Sequence, residues 1–586
     1  MEPFKNDDDL NAEILNKENK KKFMKTNELI IIVTLFSIII ITAILLFVFK
    51  INKLKKNDKS HTDYGEIICI YKIDNSTNEI QILSENFELS NNSILYAYVN
   101  GEEINVTKKY KFTYNSFFQI EFFLNEGINM DYMFKDIEHL EKVQLLSSSK
   151  NKITSMEGTF ENCRNLKNVT ISGFNTEKIK STSKLFYNTG INYLKLKNFK
   201  TNNVEDMSYM FSNTNLLELD LEEFNTNKVK NMSGMFKNNI ELKYLNIFSF
   251  NTENVIDMNE MFSNCANLIS LDLSNFITSK VVNMSYMFEG LENIYNLDLS
   301  KFDTKNVKYM NNMFSKCKNL TYLDISNFNT SNVIDLSYMF SECQLLKSIN
   351  ILNFNTSKVI NMSNMFYYCK NITDLDLSNF RANNLISVTR MFEMCTSLQN
   401  LNVSNFNTNK IKDYSYMFYY CTSLESLDLS SFNTKSAIKM SSMFNSCSKL
   451  KYLNIQNFDT SQVKEMDYMF MYLDSMTELI LSNFNTSNVE NMKKMFSYCR
   501  RLTKIDVSNF DTKRVKNFDG MFEGLHKIYE LDLINFNFEN ESTFNGMFSD
   551  LRNLSIIYLN EHSQINDNFI NEIPNNINIS YINIFQ

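Results

Sequence analysis

The sequence predicts an α/β repeat solenoid of the leucine-rich-repeat kind, made of short parallel strands and short helices, with a small β domain and one transmembrane helix. Three observations predict it. A phenylalanine, nearly always in a Met-Phe pair, returns every 25 or 26 residues from Phe134 to Phe548, marking about seventeen units. Each unit carries two apolar periods, one of two residues and one near 3.6. One stretch of 21 residues, Leu29–Phe49, holds no charge at all.

The 586 residues are too many for one compact core. There are 31 Met, 49 Phe and 29 Tyr but only 11 Gly, two Pro and no Trp. Such bias arises when one short unit is copied many times. Abundant Asn and Lys are also what an AT-rich coding sequence produces, which carries no functional information. The net charge is -8. Acidic and basic residues are interspersed along the repeats, so no extended basic face is expected and nucleic acid is not an expected partner.

Residues 1–27, with Asp7-Asp8-Asp9 and then lysines, are expected to be a short polar tail. Residues 28–50 are expected to be the transmembrane helix, because about 20 apolar residues span the hydrocarbon layer. No small-x-small cleavage site follows, which argues against a cleaved signal peptide. Lys17, Lys20, Lys21, Lys22 and Lys25 precede the segment, and Lys50, Lys53, Lys55, Lys56 and Lys59 follow it, so the flanking charges tie. We place the short tail inside, as in an uncleaved signal anchor, and the repeats outside at the cell surface. Residues 51–63 are a linker. Residues 64–128 are expected to be a small membrane-proximal β domain, with strands at 66–73 and 117–124 and a hairpin turning at Asn100-Gly101.

Residues 129–558 are the repeats. One unit, from Leu320, reads LTYLDISNFNTSNVIDLSYMFSECQL. Leu323 and Ile325 alternate with Asp324 and Ser326, the pattern of a strand with one buried face. Val333, Leu336, Met339, Phe340 and Cys343 fall within an arc of roughly 120° at helical spacing, the pattern of a short amphipathic helix. Asn329, Thr330 and Ser331 between them are turn and cap types. A lone unit buries too little to order its own backbone, so stacking is obligatory. Residues 559–586 depart from the repeat and are expected to cap its end.

The unit LxxLDLSNFNTSxVxxMxxMFxxC resembles the repeat of the BspA-like leucine-rich-repeat surface proteins of bacteria and protists. The likeness spans about residues 130–558. It implies a solenoid displayed at the cell surface for adhesion or recognition, and it carries over no binding residues.

Chemistry is sparse. His61, His139, His526 and His562 are scattered, with no metal-ligand spacing, phosphate loop or nucleophile elbow, so no enzyme and no cofactor is expected. Nine of the ten cysteines (all but Cys69) sit three residues after the marker phenylalanine and should form a column. Leu291, Leu473, Leu525 and Leu551 take the same slot elsewhere, which favours buried thiols over disulfides. The methionines fill two further core columns.

The outward strand residues are the candidate site. Asp272, Asp298, Asp324, Asn350, Asp376, Asn402, Asp428, Asn454, Asp506 and Asp532 make an Asp/Asn column on what should be the concave face. It reads either as a hydrogen-bonded side-chain ladder or as oxygen ligands for cations or a polar partner. Tyr193, Tyr244, Tyr322 and Tyr452 lie beside it, with Tyr295 and Tyr529 one place earlier, and exposed tyrosines suit recognition surfaces. Asp324, Asp376, Asp428, Tyr322 and Tyr452 are the residues singled out. Sequons at Asn75, Asn105, Asn231, Asn283, Asn361 and Asn485 point weakly outside the cell. The expected function is recognition of a protein or glycan, with no small-molecule substrate. A laterally packed coat or stalk and a cytoplasm-facing scaffold are the alternatives.

Overall fold

The structure is a computed structural model; it describes residues 64–582 except 75–78, 90–93, 126, 147–151, 539–541 and 562–564. The chain divides into two units, Met1–Tyr64 and Gly65–Gln586. The tail, the apolar segment Leu29–Phe49, the linker, His61, Asn75 and His562 lie outside the described residues. Among the described residues no helix is long and apolar enough to cross a membrane.

The second unit begins with strand β1 (Gly65–Ile73), whose Ile67, Cys69, Tyr71 and Ile73 are buried at every second position. β1 pairs antiparallel with β4 (Ser116–Leu124) on one side and β5 (Leu140–Leu146) on the other. A hairpin, β2 (Ile94–Val99) and β3 (Glu102–Ile104), extends the sheet beyond β4. Its turn uses Asn100 and Gly101 at φ 49° and 90°, the left-handed backbone that these two residues tolerate. On the other side, β6 (Asn168–Ser172) and β7 (Tyr193–Lys197) add in parallel after β5, giving the order β7-β6-β5-β1-β4-β2-β3. The N-terminal strands and the strands of the first coils thus share one sheet, so the apolar edge of the first coils is covered by backbone pairing.

From there the chain coils. Each turn places Leu323-type and Ile325-type residues inward, along with Val333, Leu336, Met339, Phe340 and Cys343. The inward columns are as the apolar periods require. The helix is not. The segment from Leu336 to Cys343 is a run of tight turns, and among the described residues the only helix is α1 (Asp567–Glu572) near the C-terminus. Alternate N–H groups close four-residue turns, as in Met339 to the Leu336 carbonyl and Ser341 to Tyr338. The others point along the stack: Tyr338 N–H to the Ser363 carbonyl at 2.9 Å and Phe340 to Met365 at 3.0 Å. Tyr338 and Glu342 hold left-handed φ values of 57° and 60°, which a helix forbids. An α-helix would spend those N–H groups internally and leave the coils joined by side chains alone. Five inward residues over eleven positions fit either geometry, so periodicity could not separate them.

Three polar ladders bind coil to coil. The buried Thr304 hydroxyl accepts from the Asn329 N–H at 2.8 Å and donates to the Asn329 carbonyl at 3.0 Å. Thr330 repeats the donation to Asn355, and the pattern runs on through Thr434, Thr460 and Thr486. Where the next coil reads Arg381-Ala382 in place of Asn-Thr, the buried Thr356 hydroxyl has no partner. A second ladder runs through Asn353, Asn405 and Asn457, whose amides donate to the Ser326, Ser378 and Ser430 carbonyls. A third is formed by the cysteines. Each of the nine thiols in the repeats donates to a carbonyl of the preceding coil, Cys343 to Phe314 at 3.1 Å and Cys369 to Phe340 at 3.0 Å. All ten cysteines are free thiols. Much of the asparagine excess therefore has a structural task that composition alone does not reveal.

Thr304→Val keeps the volume and removes both hydroxyl bonds. It is expected to destabilise the array by about 1–3 kcal/mol, since the two part-buried bonds to the Asn329 N–H and C=O are each worth about 0.5–1.5 kcal/mol. Thr304→Ser should recover most of that in denaturant titrations. Equal stability of the valine variant and the parent would mean the ladder carries no load.

Candidate binding surface

On the strand side the outward residues are those flanking the first inward leucine of each coil. Tyr322 is 61% exposed and Tyr452 55%, and Tyr193, Tyr244, Tyr295 and Tyr529 are exposed to a similar degree. Asp324, Asp376 and Asp428 are exposed too, each in a different coil with one coil between. Parallel pairing of Ser426–Asp428 with Tyr452–Asn454 sets Tyr452 opposite Ser426 and Asn454 opposite Asp428. The singled-out residues thus form a row and do not converge on a point.

The Asp/Asn column has a local task. Asp324 Oδ1 accepts the Ser326 N–H at 3.0 Å, Asp376 that of Ser378 at 2.9 Å and Asp428 that of Ser430 at 2.9 Å. Each closes the turn that follows it, at the end of a strand for Asp376 and Asp428 and of an unpaired extended segment for Asp324, as short polar side chains do at turns. The backbone N–H of Ser326 and Ser430 holds the Asp324 and Asp428 carboxyls below the usual range. Amide-to-carboxylate bonds between coils occur at Asn246–Asp220 and Asn454–Asp428, both 2.9 Å. Most of the expected side-chain ladder is therefore a stack of separate turns. Among the described residues no group of three or more His, Cys, Asp or Glu could hold a metal ion. His139 meets the Lys72 carbonyl at 3.2 Å and His526 meets Asp550 at 2.8 Å, far apart in the fold.

The strand side is also the looser side. Marker phenylalanines stack at 5.5 Å between Phe340 and Phe366 and at most 6.1 Å between Phe522 and Phe548. The second phenylalanine column, beyond the strands, stacks at 5.9 Å between Phe199 and Phe224 and at 6.5 Å between Phe276 and Phe302. Bridges on the corner before the turns run coil to coil from Ser181 to Ser387 and again from Asp413 to Thr543. Strand pairing instead occurs in isolated couples, such as Asp374–Asp376 with Asn400–Asn402. Strand pairing along this side is therefore discontinuous.

Two features of the surface were not legible beforehand. One is a groove of about 430 Å³ lined by Leu194, Leu196, Leu219 and Leu245 with Glu218, Asp220 and Tyr244. It lies where pairing lapses between β7 and the strand Glu218–Asp220, so Leu194 and Leu196 are only half-buried. The other is clustering. In six consecutive coils one of the two residues before the first inward leucine is a large exposed apolar side chain: Tyr193, Leu217, Tyr244, Ile269, Tyr295 and Tyr322. The next four coils carry Lys347-Ser348, Thr373-Asp374, Gln399-Asn400 and Glu425-Ser426 there.

Charge also segregates, contrary to the even mixing seen along the chain. The strand segments from 192–197 to 555–560 hold fourteen acidic residues against six lysines. The corner segments from 177–180 to 513–516 hold fifteen Lys and Arg against four Glu. An extended basic edge therefore exists. Residues 26 apart are neighbours in space, and a linear reading averages over them. Of the sequons, Asn105 and Asn485 are exposed, whereas Asn231, Asn283 and Asn361 are half-buried and accept the N–H of Ser233, Ser285 and Ser363.

A family model described as "Mycoplasma protein of unknown function, DUF285" matches residues 128–243, 185–296, 232–349, 335–452 and 438–558. No curated protein matches the chain. Among solved structures, a leucine-rich repeat protein from Bacteroides ovatus ATCC 8483 is similar at 14% identity and a TM-score of 0.33, over 85% of this chain and all of that one. A TLR13–ssRNA13 complex is similar at 15% identity and a TM-score of 0.18, over 77% of this chain and 86% of that one.

Proposed function

We propose, for a chain that belongs to the family described as Mycoplasma protein of unknown function, DUF285, that it binds a macromolecule through its strand side and does not catalyse. The observation that supports this is the run of exposed apolar residues from Tyr193 to Tyr322 beside the groove at Leu194 and Leu196. A surface shaped only by repeat copying would carry the same residues in every coil; this one changes abruptly after Tyr322. Contiguous exposed apolar patches mark interaction sites, and the tyrosines suit a protein or glycan partner. Asp324, Asp376, Asp428 and Tyr452 extend the row as a polar rim. The chain is held at the membrane by Leu29–Phe49 and presents the repeats outside the cell, in adhesion or recognition. That part of the reading rests on the 21 uncharged residues and on the resemblance to surface proteins.

One experiment tests both parts. A photo-crosslinking residue at Tyr244 or Tyr295 is expected to trap an adduct on intact cells, and protease added outside should digest it. The same residue at Asn400, in the bare stretch, should trap none. Adducts at Asn400 equal to those at Tyr244 would remove the strand-side site. Adducts that external protease leaves whole would remove the outward display.

A further inference from the structure

The corner of each coil, where an apolar residue (Val in most coils) turns inward between two outward residues, presents side chains in columns along the stack. Five times a basic side chain there donates to an asparagine one coil earlier. Lys228 reaches Asn203 Oδ1 at 2.5 Å, Lys280 reaches Asn254 at 2.7 Å and Lys358 reaches Asn332 at 2.6 Å. Lys410 reaches Asn384 at 2.9 Å, and Arg514 reaches Asn488 at 2.8 Å. These asparagines are themselves held: Asn203, Asn254, Asn332 and Asn488 donate to backbone carbonyls of the coil before, at 2.7 to 2.8 Å.

An amide fixes an ammonium group without neutralising it, as a carboxylate would. The result is a row of ammonium groups held by amides, whose positions are set before any ligand arrives, which lowers the ordering cost of binding. Glu205 is the carboxylate beside Lys228. Lys228 and Lys280 lie two coils apart, as do Lys358 and Lys410. At about 4.8 Å per coil that separation is roughly 10 Å. At the C-terminal end Lys513, Arg514 and Lys516, with Glu490, line a concavity of about 300 Å³.

We propose that this basic edge binds a linear acidic polysaccharide lengthwise, with the polymer's carboxylates or sulfates on the asparagine-held lysines. The site is separate from the strand-side surface. Nucleic acid fits less well. The corner segments hold no aromatic residue on which a base could stack. They also hold one Arg to fourteen Lys, so point charges replace the planar forks that read bases and grip phosphates.

The test is retention of the full chain in detergent on polygalacturonate and on heparin, at increasing salt, with single-stranded and duplex DNA as competitors. The parent is expected to bind the polysaccharides with steep salt dependence. Changing Lys228, Lys280, Lys358 and Lys410 together to Gln should weaken binding at least tenfold. It should also lower the slope of log affinity against log salt by about three, because each ion pair lost releases fewer counterions. The four-Arg version should bind as the parent does. A Gln variant that melts with the parent and binds as well would overturn the proposal. So would DNA that displaces the polysaccharide at lower concentration, which would assign the edge to nucleic acid. Self-association of the parent at low salt through the same lysines would assign it to a second copy's acidic strand side.

Discussion

Raising the pH from about 8.5 toward 11 is expected to unfold the repeat array steeply, with the cysteine column as the cause. All ten thiols are buried and free. Burial pushes Cys317, Cys395 and Cys447 up to about 12 and raises Cys343, Cys369 and Cys421 well above the usual thiol range. In the unfolded chain a thiol gives up its proton near pH 8.5. Between that value and about 12 the folded chain keeps protons that the unfolded chain has lost, so stability falls as pH rises. Below pH 8.5 the contribution is fully present. For unfolding of the whole array, its nine column thiols give a limiting slope of roughly 12 kcal/mol per pH unit, and fraying of one coil about 1.4. Thermal melting followed by circular dichroism from pH 7 to 11 reads the effect. Changing Cys343, Cys369, Cys395 and Cys421 to Ala should flatten the dependence while lowering stability at neutral pH. A parent whose melting temperature holds from pH 8 to 10.5, or whose thiols alkylate in the native state at pH 9, would show that the column is not buried.

Phe340→Ala is expected to cost about 3–5 kcal/mol, felt mainly within the neighbouring coils. The Phe340 ring is fully buried and stacks on Phe314 at 5.8 Å and on Phe366 at 5.5 Å. Its removal opens a cavity that touches three coils at once. The backbone cannot close in, because Phe340 N–H is bonded to the Met365 carbonyl and holds the spacing. Each coil contacts mainly its neighbours, so the damage should stay near the site. Hydrogen exchange should show lost protection around coils 314–366 and near-parental protection near Phe186 and Phe522. Phe340→Leu, which keeps much of the volume, should cost less. Uniform loss of protection along the array would mean that it unfolds as one cooperative block, and unchanged protection would place this column outside the core.

The 26-residue period, the inward columns and the strand alternation follow from the sequence by itself, because apolar spacing states which side chains must leave water whatever the backbone does. Val333, Leu336, Met339, Phe340 and Cys343 are inward on either reading, and Tyr322 and Asp324 are outward on either. Whether the segment Leu336 to Cys343 was a helix or a run of turns could not be settled locally. The choice depends on where alternate N–H groups find acceptors, and those acceptors, such as the Ser363 and Met365 carbonyls, exist only once the next coil is stacked. The same holds for the threonine and asparagine ladders, whose partners lie 24 to 28 residues away. It holds for the basic edge too. Lys228 and Asn203 are unrelated in the chain, and stacking alone makes them a charge row that faces one way.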